Sequence, residues 1–428
     1  MAAATTTATI PDSLKVFYMS EFLSHFEEAL VLAKYGQKAE LPPAGGTTAD
    51  WFRYLPLAVV TSAGTEGQAT SSLTAKNLSG YNITATVATW YNYVEYSELL
   101  QLQSRDAKLT RGAQLLGQNA AESVEHETLK QICEHCIWPL PANAVYSDGA
   151  INASVYMENV ACISAGSTTT AFQVDPAALD AGFSNATLSN DILIGGWLCI
   201  SKGKGYGTAS RISDYASATG IITVQDTMPD APMSSSNSTY DYQSFATIAV
   251  PNGPVAQDRL TVGDVLTTAV LQKTEEILFK NGAKPFPSGG FVGLIHPTIY
   301  AQLLQDSKWV AAQSYRSGQT GLEMNEIGRW SNITFFRMTT AARYAVANQT
   351  NNSFSTTAGN MYMTLVFGQD AFGTLALSGK GKPEIIIEPP SSGGVANPVH
   401  LYGTMAWKLY WAVVPLNANY CVGIMSYV

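Results

Sequence analysis

Charge is what this sequence has least of. Asp, Glu, Lys and Arg make up 13% of its 428 residues, about half the share usual in a globular chain. The charge present sums to -9 with histidine neutral, which excludes a general nucleic-acid binder held by many lysine and arginine contacts. Long apolar runs are missing as well. No stretch approaches the ~18 apolar residues of a spanning helix, and the most apolar C-terminal stretch, Met405 to Val414, is broken by Lys408. The start, Met1 to Ile10, has neither a basic segment nor an apolar one, so no secretory signal is visible. Five cysteines (Cys133, Cys136, Cys162, Cys199, Cys421) are few, odd in number and irregularly spaced. That excludes a disulfide framework and points to synthesis in a reducing cytosol. Internal repeats are absent too. Hydrophobic residues nevertheless reach 46%, too many for intrinsic disorder. Ser, Thr, Asn, Gly and Tyr fill the place of charge, a composition that favours strands and tight turns.

Periodicity divides the chain. Leu14, Phe17, Tyr18, Phe22, Phe26, Leu30 and Ala33 recur at three- and four-residue steps and predict a helix over 14–34. The signal then turns extended: one run covers 47–57, a second 81–96, with a Gly/Thr/Ser-rich stretch between them. This predicts a long two-stranded arm, and such a hairpin is marginal alone in water, so it needs something to lie on. A single apolar stripe (Leu109, Ala113, Leu116, Ala120, Val124, Ile132, Cys136) predicts a very long helix over 106–137, roughly 45 Å at 1.5 Å per residue. Pro139 and Pro141 stop it. Short strands and turns follow, read as an inserted β module at about 163–248. Helical spacing returns at 262–279, with Thr261 or Asp264 as N-cap and Asn281-Gly282 as the stop. The remainder reads as one mixed α/β domain: strand 291–296, helix 297–305, strands 333–338, 361–368 and 384–388, and a final antiparallel pair, 401–414 with 419–425.

No catalytic constellation emerges. Cys133-x-x-Cys136, with His135 between and His126 upstream, has no second pair to complete a zinc site. The two thiols fall on the stripe of Leu129 and Ile132 and read as buried. Gly203-Lys204-Gly205-Tyr206-Gly207 leads into further strand, where a phosphate-cradling loop leads into a helix; it reads as a hairpin turn. His296, before Pro297, has no nucleophile or orienting carboxylate to serve and reads as a structural histidine. Trp90-Tyr91-Asn92-Tyr93, with so little positive charge around it, reads as packing in a sheet or at a subunit contact rather than as a base-stacking platform. No metal, cofactor or catalytic residue is assigned.

The order of elements carries more than any motif. Gly36-Gln37-Lys38, Leu41-Pro42, Trp51-Phe52-Arg53-Tyr54-Leu55-Pro56, Thr65-Glu66-Gly67 and Asn82-Ile83-Thr84-Ala85-Thr86 resemble the opening of the N-four-type (gp56-like) family of phage major capsid proteins. Tyr93-Val94-Glu95-Tyr96-Ser97, Leu115-Leu116-Gly117, Lys284-Pro285-Phe286, Ile295-His296-Pro297, Glu326-Ile327-Gly328, Asn397-Pro398 and Trp407-Lys408 continue it. The resemblance runs over most of 14–138 and 255–428. It implies an α+β, HK97-like capsid fold: an N-terminal arm and helix (1–35), an extended E-loop hairpin (36–97), a spine helix (98–138), a β-rich insertion (139–254), and the remaining peripheral elements with an axial domain (255–428). The insertion is longer than the family pattern and is placed on the outer surface. The resemblance further implies a homo-oligomer of pentamers and hexamers in the icosahedral head of a tailed phage. That head encloses double-stranded DNA without reading its sequence. Portal, scaffolding and cement proteins would be its partners, the virion its location, and no membrane is involved. Trp51, Arg53, Tyr54, Glu66 and Lys76 are the arm residues proposed to touch a neighbouring subunit.

This function suits a chain poor in charge, because low surface charge limits repulsion between hundreds of identical neighbours. Some capsids of this fold join a Lys to an Asn; Lys76 and Asn77 qualify by position alone, and the expectation is that no such bond forms. Two rival readings stand beside it: a β-rich decoration or receptor-binding protein of a virion, and a cytosolic enzyme built on the C-terminal α/β part.

Overall fold

The computed structural model describes residues 11–42, 45–54, 80–99, 108–135, 138–141, 156–163, 167–183, 188–203, 205–228, 245–250, 263–315, 326–340, 343–344, 361–388 and 401–428. The chain starts with α1 (Pro11–Ala29), β1 (Gln37–Leu41), β2 (Thr48–Tyr54), β3 (Gly80–Thr86), β4 (Ala88–Ser97), α2 (Lys108–His135) and β5 (Trp138–Pro141). Next come β6 (Tyr156–Ile163), β7 (Ala171–Val174), α3 (Pro176–Gly182), β8 (Trp197–Lys202), β9 (Ala209–Ala216), β10 (Ile221–Val224) and β11 (Phe245–Ala249). Then follow α4 (Thr268–Lys280), β12 (Phe291–Ile295), α5 (Pro297–Leu303), α6 (Ser307–Tyr315), β13 (Glu326–Trp330), β14 (Ile333–Arg337) and β15 (Arg343–Tyr344). The last strands are β16 (Met361–Phe367), β17 (Phe372–Leu377), β18 (Glu384–Glu388), β19 (Tyr402–Pro415) and β20 (Cys421–Tyr427). Two compact units result: Met1–Ala49 with Thr84–Leu129 and Gly373–Val414, and Asp50–Ile83 with Lys130–Phe372 and Pro415–Val428.

The first unit is organised by β19, whose 14 residues alternate between a buried and a half-exposed face from Gly403 to Trp411. Met405, Trp407, Leu409 and Trp411 point inward and meet Phe22 and Phe26 of α1 and Ala113, Leu116, Ala120, Ala121 and Val124 of α2. Burying one such aromatic or aliphatic side chain stabilises by about 1.5–3 kcal/mol, which explains why a strand of period two and a helix of period 3.6 face one another here. The sheet runs β1-β17-β19-β18, with β4 on the other side of β19. The two helices touch closely because residue 117 is glycine: a Cβ there would run into the Phe22 backbone. Where α1 ends, Glu125 of α2 is buried and accepts hydrogen bonds from the backbone N–H groups of Val31, Leu32 and Ala33 at 2.9–3.0 Å. It thereby satisfies donors that the short 3-10 turn Ala33–Tyr35 leaves open.

The second unit combines a mixed sheet with a closed barrel. The sheet runs β13-β14-β12-β16-β20-β5, with β15 on β16. Leu271, Ile277 and Leu278 of α4 and Ile299 and Leu303 of α5 pack with Phe291, Ile295, Ile333 and Phe335 of this sheet in one core. His296 caps α5, its Nδ1 accepting from the Thr298 N–H at 3.3 Å, with Pro297 at the first helical position. The barrel closes in the order β10-β7-β6-β11-β8-β9 around Phe172, Val174, Leu198, Ile200, Ile212, Ile222 and Ile248. Closure removes every unpaired strand edge.

Four expectations change. The extended run 81–96 divides at Val87: β3 pairs with β2, while β4 pairs with β19 over ten residues, so the aromatic half belongs to a sheet and only 80–86 to the arm. The last two strands do not pair, because β4, β17 and β18 take up β19 while β16 and β5 take up β20. The 262–279 helix begins only at Thr268; its cap comes from Asp306, which accepts from the Thr268 N–H at 3.0 Å and hydroxyl at 2.7 Å. Asp264 lies ahead of the N-cap position, Thr267, and Thr261 lies outside the described residues. Finally, 138–141, mostly counted with the insertion, forms β5 beside β20, and 373–414 separates from the α/β remainder into the first unit.

Candidate assembly surfaces

Strands β2 and β3 form a two-stranded sheet of their own. Along β2, exposure alternates strictly: Asp50, Phe52 and Tyr54 are exposed, and Trp51 and Arg53 half-buried. Phe52 is 55% and Tyr54 65% exposed, and their rings meet edge to face with centroids 4.6 Å apart. Gly80 makes room on β3, since a Cβ there would strike the Phe52 ring. An aromatic pair in mutual contact on a narrow ribbon and left bare to water has the chemistry of the anchors that dominate many protein contacts. Arg53 does something else: its Nη1 donates to the Leu416 carbonyl at 3.0 Å, and its guanidinium lies 5.0 Å from the Tyr206 ring centre. Of the arm residues named from the sequence, then, Tyr54 faces outward and Trp51 and Arg53 face the other way. Glu66 and Lys76 lie outside the described residues. Phe52 was missed, although the period-two spacing with Tyr54 was there to be read.

A second bare surface lies on the first unit's sheet. Strand β4 is exposed along most of both faces, with Tyr91 69% and Tyr93 57% accessible, and among the described residues β19 is the one strand it pairs with. Register places Tyr91 beside Lys408 and Tyr93 beside Ala406; Glu384 and Ile386 of β18 lie opposite those same two β19 residues. The strand is nevertheless fixed in place. Asn92 donates to Asn119 Oδ1 at 3.0 Å, and the same oxygen accepts from the Trp407 indole at 3.2 Å; Trp90 donates to the Trp411 carbonyl at 3.2 Å. Natural proteins usually blunt an exposed edge with charge or proline, whereas this one presents tyrosines.

The chemical motifs resolve into structure. Cys133 is buried, and Cys136 lies outside the described residues. His135 sits 3.2 Å from Asp226 and 3.8 Å from Glu134. Burial pushes the Asp226 carboxyl up, but hydrogen bonds from His135 and Ser210 outweigh it and hold the group below its ordinary value. Burial pushes the Cys162 thiol up to about 12, which leaves it inert as a nucleophile. The 203–207 glycine run is the turn joining the antiparallel strands β8 and β9; Gly203, Gly205 and Gly207 all take positive φ. Among the described residues no group of three or more His, Cys, Asp or Glu could hold a metal, and no helix is long and apolar enough to cross a membrane.

No protein-family model matches the chain, and no curated protein matches it in sequence. Its fold does match solved structures. The capsid of Ralstonia phage GP4 superposes with a TM-score of 0.50 at 10% identity, covering 94% of this chain and 90% of that one. The capsid of cyanophage P-SCSP1u gives 0.48 at 11% identity over 92% and 87%, and that of cyanophage Pam1 gives 0.47 at 11% over 89% and 85%. The chain has an α+β capsid-type fold.

Proposed function

We propose that this chain is the major capsid protein of a tailed double-stranded DNA phage, a non-enzymatic subunit that assembles into the pentamers and hexamers of an icosahedral head. The observation that carries this reading is the fold shared with the GP4 capsid along 94% of the chain. In this reading the fold is of the HK97 type. The β2–β3 arm is the E-loop, α2 is the spine helix, and the sheet around β12 and β16 belongs to the axial domain. The β6–β11 barrel is an insertion on the outer surface. The family suggested by the sequence, the N-four-type (gp56-like) capsid proteins, is part of the same proposal. So are a portal as partner, scaffolding and cement proteins as further ones, DNA enclosed without sequence reading, synthesis in the host cytoplasm and residence in the virion.

Physical chemistry favours the reading. Shell subunits gain from many weak contacts made at once, each raising the effective concentration for the next. Bare aromatics on an arm and on a sheet edge suit such contacts, and the low charge keeps repulsion between copies small. The test is assembly of a Phe52→Ser/Tyr54→Ser chain, examined by electron microscopy and sedimentation. A folded subunit that builds no shells supports the arm as an intersubunit contact. Unchanged shells would remove it from that role. Replacing Trp51, Arg53 and Tyr54 together would be less informative, because Trp51 and Arg53 lie on the opposite, half-buried face of β2.

A further inference from the structure

We infer that Arg53 is a positioning residue, through which the glycine turn of the inserted barrel sets the direction of the β2–β3 arm. The inference rests on the reading of that arm as an assembly element.

Three parts of one compact unit converge on this side chain. The barrel gives the turn between β8 and β9: Tyr206 presents its ring to the guanidinium, and Gly207 lies directly beneath it. A Cβ at residue 207 would collide with both terminal nitrogens of Arg53 and with Asn417 Oδ1. Gly207 is therefore required twice, once by its φ of +80° and once by the space Arg53 occupies. The C-terminal turn gives the Leu416 carbonyl that accepts from Arg53 Nη1. That turn is itself joined to the barrel, since the Ala418 N–H donates to the Gly207 carbonyl at 2.8 Å. The end of α4 completes the seat: Asn281 Nδ2 donates to the Asn419 carbonyl at 3.2 Å, and the Tyr206 hydroxyl donates to the Asn281 carbonyl at 3.4 Å.

The chemistry selects arginine. A planar cation can lie on an aromatic ring and donate in its own plane to a carbonyl at the same time, whereas an ammonium is a point charge that cannot lie flat on a ring. The position within β2 matters as much. Phe52 and Tyr54 flank Arg53 and point to the opposite face, so seating Arg53 fixes the direction in which the aromatic pair is presented. A two-stranded ribbon has too little packing of its own to hold a direction. The barrel, closed and anchored in the core, can supply it.

The test uses the full chain with Arg53→Ala, Arg53→Lys and Tyr206→Leu; the last keeps the barrel turn intact where Gly207→Ala would strain it. Hydrogen exchange in the unassembled subunit reads the seat, and electron microscopy of assembly reactions reads the arm's direction. Arg53→Ala and Tyr206→Leu should each speed amide exchange in 50–54 and 80–83 by about tenfold or more while the β6–β11 barrel is unchanged. Their combination should add little beyond either alone, and Arg53→Lys should recover only part. Shells should give way to open sheets or misclosed particles. Exchange at the wild-type rate in Arg53→Ala would overturn the inference, and so would faster exchange with normally closed shells. If the wild-type chain builds no shells with its partner head proteins, the capsid reading falls, and the exchange result alone then upholds or overturns the seat.

Discussion

The β6–β11 barrel and the β2–β3 arm are both small all-β pieces, yet they solve opposite problems. Six strands of the barrel close on one another around fully buried side chains such as Phe172, Val174 and Ile248. The arm pairs two strands and leaves Phe52 and Tyr54 bare. One region closes its strands on one another and covers its own apolar core; the other, over its described residues, pairs only two strands and leaves an aromatic pair exposed. The difference teaches where to look for function: in the region that is incomplete alone, and in what holds that region in place.

The comparison can be broken in order of effect. On the proposed capsid reading, Phe52→Ser with Tyr54→Ser should raise the concentration needed for shell formation on the order of 100-fold or more, since loss of an anchor would repeat at every contact of a multivalent shell. Calorimetry should find the subunit's melting midpoint unchanged. Phe172→Ala should do the reverse, costing about 3–5 kcal/mol in denaturant unfolding while shells still form well below the lowered midpoint. If the barrel variant abolished assembly without destabilising the chain, the division of labour between the two regions would be wrong.

Smaller effects sharpen the picture. Glu125→Ala leaves three backbone N–H groups without their acceptor and should cost about 1–3 kcal/mol, read as early loss of α1 protection in hydrogen exchange. Burial pushes the Glu125 carboxyl up against the lowering effect of those N–H groups. Folding therefore takes up a proton there, and the group's contribution is present at low pH and lost as pH rises through its folded value. Asp226 has the opposite sign. Its carboxyl is held low, so the contact with His135 stabilises above the ordinary aspartate range and is lost as pH falls through the folded value. Asp226→Asn should move the acid-unfolding midpoint up by a fraction of a pH unit, the smallest effect of the set. An unmoved midpoint would mean that the contact contributes nothing.

Much of the fold was legible because its signals are local. Helical spacing from Leu109 to Ile132 gave α2, and the strand 384–388 coincides with β18. The stop at Asn281-Gly282 appears where Gly282 takes a φ of +71°. Pairings between distant segments were not legible. Nothing in 81–96 tells that Val87 divides two sheets, and β19 and β20, neighbours in sequence, look like a hairpin until the strands that claim their edges are known. The same limit applies at the site. Tyr54 could be named from composition, and Phe52 from alternation. The burial of Arg53 depends on Leu416, 363 residues away, and on a glycine in the barrel turn, a juxtaposition that only the folded chain creates.

The measurement that bears most directly on the central claim is electron microscopy of the purified chain at high concentration, alone and with the head proteins proposed as its partners, beside analytical sedimentation. The account predicts closed shells, or rings of five and six, from the unaltered chain, and folded subunits without shells from the Phe52→Ser/Tyr54→Ser chain. A chain that stays monomeric under both conditions would contradict it.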